Sequence, residues 1–171
     1  QGLLVACAQS PNRLLRPVVV LALSTGARKQ ELLGLTWREV DWRRECVLLL
    51  VTTTGERRSV PLTGRALTEL QTLAKVRRLD TALVFPRRDG RAPLDIRHAW
   101  QQAVQQAGLE DFRFHDLRHC CASYLAMHGA SLLEIAEVLG HTTLQMVKRS
   151  AHRTEAHTAQ VVARMTAAIF A

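Results

Sequence analysis

At 171 residues the chain is about one domain's worth, long enough to bury a core without disulfide or metal staples. Lys plus Arg is 23 against 15 for Asp plus Glu, a formal charge of +8; only Lys29, Lys75 and Lys148 are lysines, so 20 basic residues are arginine. An apolar content of 47% excludes a disordered chain, runs such as Val18–Leu23 are far too short to span a bilayer, and Gln1–Ser10 lacks the basic start of a signal peptide. Arginine forks match phosphate geometry better than lysine point charges do, so a polyanion is the expected partner. Cys7, Cys46, Cys120 and Cys121 form no C-x-x-C pair and read as reduced, cytosolic thiols.

In chain order, Asn12 can cap a helix that runs to Ser24 and ends at Thr25-Gly26. A second helix starts near Arg28, carries Leu32 and Leu33, and closes at Gly34; Thr36-Trp37-Arg38-Glu39 reads as a capping box. Cys46–Thr52 and Arg57–Leu62 are the two strands of a hairpin turning at Thr54-Gly55-Glu56. Thr63 caps a helix through Val76, and Leu83–Phe85 is a short third strand stopped by Pro86. Further helices cover Leu94–Ala107, His115–His128, Ser131–Leu139, Thr142–Ser150 and Glu155–Phe170. The expected fold is mainly α with a small antiparallel β-sheet, one domain over residues 1–171, with no internal repeat or linker.

Three segments carry unusual polar chemistry: Thr25–Leu35 with Arg28 and Glu31, His115-Asp116-Leu117-Arg118-His119, and Leu139-Gly140-His141 followed by Arg149-Ser150-Ala151-His152. His115 and Arg118 are three residues apart on a helix and share a face, with His119 one turn from His115. Two guanidinium forks and two imidazoles meeting near helix starts would neutralise charge growing on a phosphodiester. Taken singly, each residue has a plainer reading: an arginine at a helix start is usually solvated, and His119 can satisfy a buried carbonyl.

The ordered combination resembles the catalytic domain of tyrosine recombinases, the phage-integrase family. Thr25-Gly26-Ala27-Arg28 with Glu31-Leu32-Leu33-Gly34-Leu35 resembles the family's first arginine box, His115-Asp116-Leu117-Arg118-His119 its H-x-x-R box, and Leu139-Gly140-His141 its third box; the hairpin ending Arg58-Ser59-Val60-Pro61-Leu62 matches in order and position. The resemblance spans nearly the whole chain. It implies a helical domain with a small sheet, and strand exchange on double-stranded DNA through a 3′-phosphotyrosyl bond, without metal or nucleotide cofactor. It further implies that Arg28 and Arg118 grip the scissile phosphate, His115 transfers a proton, and His141 stabilises the transition state. The family's separate N-terminal DNA-clamping domain is expected to lie outside these 171 residues, and the protein to act in the cytoplasm on bacterial or phage-like DNA.

Two positions depart from the pattern. Thr53 stands where the family has the hairpin lysine that protonates the leaving oxygen, and Ser150 stands where the nucleophilic tyrosine belongs. The serine hydroxyl lies roughly one aromatic ring short of a tyrosine hydroxyl, whereas attack needs a separation of ~3–3.5 Å. The chain's one tyrosine, Tyr124, lies six residues past Arg118, roughly 240° further round the helix, and is expected to pack in the core. The expectation is a scaffold that binds DNA but is cleavage-deficient. Arg57, Arg58 and Arg149 join Arg28 and Arg118 as candidate DNA-binding residues. A non-catalytic DNA-binding relative is one alternative; a metal-dependent hydrolase using His115, His119, Cys120, Cys121 and His141 is a weaker one. Val161, Val162, Met165 and Ile169 form an apolar stripe expected to pack on the chain's own core; the resemblance offers docking on a second copy instead.

Overall fold

A computed structural model describes residues 2–50 and 57–140, for Arg57 the backbone alone. Thr53, His141, Arg149, Ser150, and the helices and apolar stripe expected beyond Gly140 lie outside the described residues.

Helix α2 (Leu15–Thr25) is the centre of the molecule. Leu15, Val18, Val19, Val20, Leu21 and Ala22 are all buried, so the helix is apolar nearly all round; such a helix belongs inside a core. Helices α1 (Gly2–Gln9), α4 (Gly64–Lys75) and α6 (Asp116–Met127) pack around it, and α5 (Arg97–Gln106) packs against α1. Burying a side chain such as Leu21 contributes about 2 kcal/mol. Helix α1 has no counterpart in the sequence reading: only Ala6 and Cys7 are buried in it, too few for a helical period.

Asn12 does not cap α2 from its side chain. Its Oδ1 accepts the Leu14 N–H and its carbonyl accepts the Leu15 N–H, a turn that hands the chain into a helix beginning at Leu15. The helix ends as expected: Gly26 has φ 60°, and its N–H donates to the Ala22 carbonyl. Helix α3 (Lys29–Leu33) follows from Arg28, and the Trp37–Glu39 turn is capped at Thr36, whose N–H donates to Glu39 Oε2 at 2.8 Å.

The sheet has three antiparallel strands in the order β1 (Val40–Asp41), β2 (Cys46–Leu50), β3 (Arg57–Pro61). Its third strand is therefore β1, not Leu83–Phe85. That segment makes a single backbone bridge, Leu83 to Thr36, and the chain bridges again just after it, Pro86 to Pro93, without forming a ladder. Register places Leu49 opposite Arg58 and Val47 opposite Val60. Side chains alternate along β3, so Arg58 and Val60 are buried while Ser59 and Pro61 face solvent.

Helix α7 (Leu132–Leu139) starts in a capping box, with Ser131 and Glu134 bonding each other's backbone N–H, and stops at left-handed Gly140. A second apolar cluster, Cys121, Ala122, Ala126, Ile135 and Leu139, joins α6 to α7. Contrary to expectation, Tyr124 is 61% exposed and belongs to neither cluster. Helix α6 buries the face of Leu117, Arg118, Cys121, Ala122 and Ala126, and Tyr124 falls outside it. All four cysteines are free thiols, and no helix among the described residues is long and apolar enough to cross a membrane.

Candidate phosphate-binding site

The turn between α2 and α3 is the floor of the site. Thr25 holds it: its hydroxyl donates to the Leu21 carbonyl at 2.6 Å and accepts the Ala27 N–H at 3.2 Å. Gly26 is required there, because a Cβ would collide with Leu139 Cδ2, besides needing a left-handed φ. The turn thereby sits directly against the end of α7.

Two guanidinium groups bond one carboxylate, and a third lies near enough to feel its charge. Glu31 is fully buried at its side chain. Its Oε2 accepts the Arg28 backbone N–H at 2.9 Å, and its Oε1 accepts from Arg28 Nη1 at 2.9 Å. Arg58 grips the same carboxylate with both terminal nitrogens, Nη2 to Oε2 at 2.9 Å and Nη1 to Oε1 at 3.3 Å. Arg118 comes from the first turn of α6 and is 2% exposed. Its Nη1 donates to the Gly26 carbonyl and its Nη2 to the Leu139 carbonyl, each at 2.5 Å. Arg118 is thus tied to the turn that leads, two residues later, into Arg28.

Three cations face one carboxylate, and no second carboxylate among the described residues pairs with them. Burial, then the charges of Arg28 and Arg58, push Arg118 down to about 10, still protonated at neutral pH. Burial pushes Glu31 up, but the hydrogen bonds and charges of Arg58 and Arg28 outweigh it and hold the carboxyl below its ordinary value. The surplus of two positive charges in a partly dry setting suits an anion.

His115 and His119 stand edge to face, ring centroids 5.1 Å apart. Burial lowers the His115 pKa below 6.5, helped by His119, Arg118 and Arg28. The folded chain therefore takes up this proton later than the unfolded one, and stability falls as pH drops from 6.5 through the folded midpoint. A phosphate seated at the arginines reverses the local field. Inorganic phosphate is expected to raise the His115 midpoint followed by NMR; an unmoved midpoint at saturating phosphate would place any bound anion elsewhere.

Of the residues singled out in the sequence, the structure brings together Arg28, Arg58, His115 and Arg118. Sequence reasoning gives Glu31 no role, although its position three residues after Arg28 is the acidic end of a capping box. Among the described residues no group of three His, Cys, Asp or Glu side chains is placed to hold a metal ion, so His115, His119, Cys120 and Cys121 do not form such a centre by themselves.

A family profile described as the phage integrase family matches residues 2–157. The integrase of Salmonella phage P22 is 33% identical over 158 residues, which cover 84% of this chain and 40% of that protein. The shufflon-specific DNA recombinase of Escherichia coli is 34% identical over 142 residues, covering 82% and 35%. The solved catalytic domain of bacteriophage HP1 integrase superposes with a TM-score of 0.72 at 30% identity, covering 94% of this chain and 88% of that one. The chain spans less than half the length of these two curated relatives.

Proposed function

The chain belongs to the phage integrase family, and from that premise we propose that it binds duplex DNA by gripping a backbone phosphate between Arg28 and Arg118, and that it is deficient in strand cleavage. The surplus positive charge around Glu31 supports the grip: Arg28 and Arg118 are held in place before any ligand arrives, one by Glu31 and the other by the Gly26 and Leu139 carbonyls. Placement ahead of binding lowers its entropic cost. Arg28 is the more accessible of the pair, its side chain 24% exposed, and makes first contact. His115, neutral at pH 7 because its pKa is depressed, is fitted to exchange a proton with a phosphate or alkoxide oxygen. The relative named a DNA recombinase supports the choice of DNA over other polyanions.

Cleavage fails on chemistry rather than on binding. Ser150 offers a short aliphatic hydroxyl where the family uses a phenol, and Thr53 offers no acid for the departing 5′ oxygen.

Two measurements test this. Duplex affinity is expected to fall steeply with salt, and Arg28→Ala is expected to make the slope of log K against log salt shallower by about 0.9, the release from one phosphate. Failure to bind duplex at low salt, or an unchanged slope in Arg28→Ala, would remove the grip. A nicked suicide duplex carrying the recombination site is expected to yield no covalent protein–DNA adduct on a denaturing gel; an adduct would overturn the cleavage-deficient assignment.

A further inference from the structure

Arg58 counts, by charge and position, among the candidate DNA ligands, yet its side chain is only 8% exposed and all three of its guanidinium nitrogens donate to protein groups. Strand β3 turns Arg58 to the same buried face as Val60. Its fork is occupied by Glu31, 27 residues back, and its Nε donates to the Val138 carbonyl at 3.0 Å, 80 residues on. Val138 and Leu139 are the last two residues of α7, whose carbonyls find no partner within the helix. Arg58 takes the first and Arg118 takes the second. Gly140 leaves room for this: a Cβ there would come 2.8 Å from both Cδ and Nη1 of Arg58.

We propose that Arg58 is a positioning residue, not a phosphate ligand: through Glu31 and the Val138 carbonyl it fixes the turn bearing Arg28 to the end of α7, and so sets where Arg28 stands. This rests on the phosphate grip proposed above. The hairpin, the α2–α3 turn and α7 are far apart in sequence, and one side chain spans all three. A lysine keeps the charge but cannot fork a carboxylate while also reaching a carbonyl on the other side.

The test is the salt slope of duplex binding by the full chain, measured for Arg58→Lys, Arg28→Ala and the double variant. Arg58→Lys is expected to lose about tenfold in affinity and to show the same shallower slope as Arg28→Ala, although no charge has been removed. The double variant is expected to be no shallower than either single one, because both changes release the same phosphate. A slope like the parent's in Arg58→Lys, or losses that add in the double variant, would overturn the proposal. If Arg28→Ala alone leaves the slope unchanged, the phosphate grip itself fails, which is a separate result. Gly140→Ala approaches the same strut from its far side and serves if Arg58→Lys does not fold: it too is expected to show the shallower slope, and the parent's slope in that variant would overturn the proposal.

Discussion

A chain carrying both Ser150→Tyr and Thr53→Lys is expected to form a covalent adduct on a nicked suicide duplex where the parent is expected to form none. The two changes supply different things. Tyrosine brings a hydroxyl roughly one ring further from the backbone, the reach the family's nucleophile has and serine lacks. It also ionises far more readily than an aliphatic alcohol, with a pKa of about 10. Lysine supplies the proton that the leaving oxygen needs, a contribution of about 10²–10⁴ in rate. Ser150→Tyr alone is therefore expected to give slow adduct formation, and Thr53→Lys alone none. The time course on a denaturing gel reads all three. A double variant that binds duplex like the parent but makes no adduct would show that the remaining groups, Arg28, His115 and Arg118, are not poised for the reaction.

Glu31→Gln is expected to cost about 3–5 kcal/mol of stability, the usual penalty for removing one partner of a buried ion pair. For a domain of this size that lowers the melting temperature by about 10 °C. The magnitude follows from the setting. The carboxylate is fully buried between Arg28 and Arg58, and glutamine leaves both guanidinium groups facing Arg118 with nothing to offset them. The pH dependence gives a second reading. Glu31 has its pKa lowered in the folded chain, so its stabilisation is present above the ordinary value of 4.5 and is lost as pH falls through the folded midpoint. Thermal unfolding across pH should show the parent and Glu31→Gln far apart at neutral pH and converging in acid. A constant gap would mean that poorer packing, and not the missing charge, sets the cost.

The parts of this molecule legible in its sequence are the local ones. Ser131 with Glu134, Thr36 with Glu39, and glycine after each of α2 and α7 announce their own ends, since each signal and its response lie within a few residues. The hairpin strands are legible from their β-branched and apolar runs. The pairing of Val40–Asp41 with β2 is not, because two residues carry no period of their own and only the partner strand defines them. Tyr124 misleads for a related reason: an aromatic in a helix suggests core, but which face α6 buries is decided by α2 and α7. Arg28 and Arg118 stand out through their boxes. Arg58 reads by charge as a surface residue, though the alternation Arg58-Ser59-Val60-Pro61 already puts it on Val60's face once Val60 is inside. Its partner at Val138 is 80 residues away, and nothing local encodes that bond.

The ties made by Arg58 and Arg118 have a bearing on how such a domain ages. Both side chains tie separate elements together, so replacing either costs stability, whether or not any strand is ever broken. Drift that abandons the reaction would then preserve its arginines long after selection for turnover has lapsed, and an intact arginine cage is poor testimony that a gene of this kind still works.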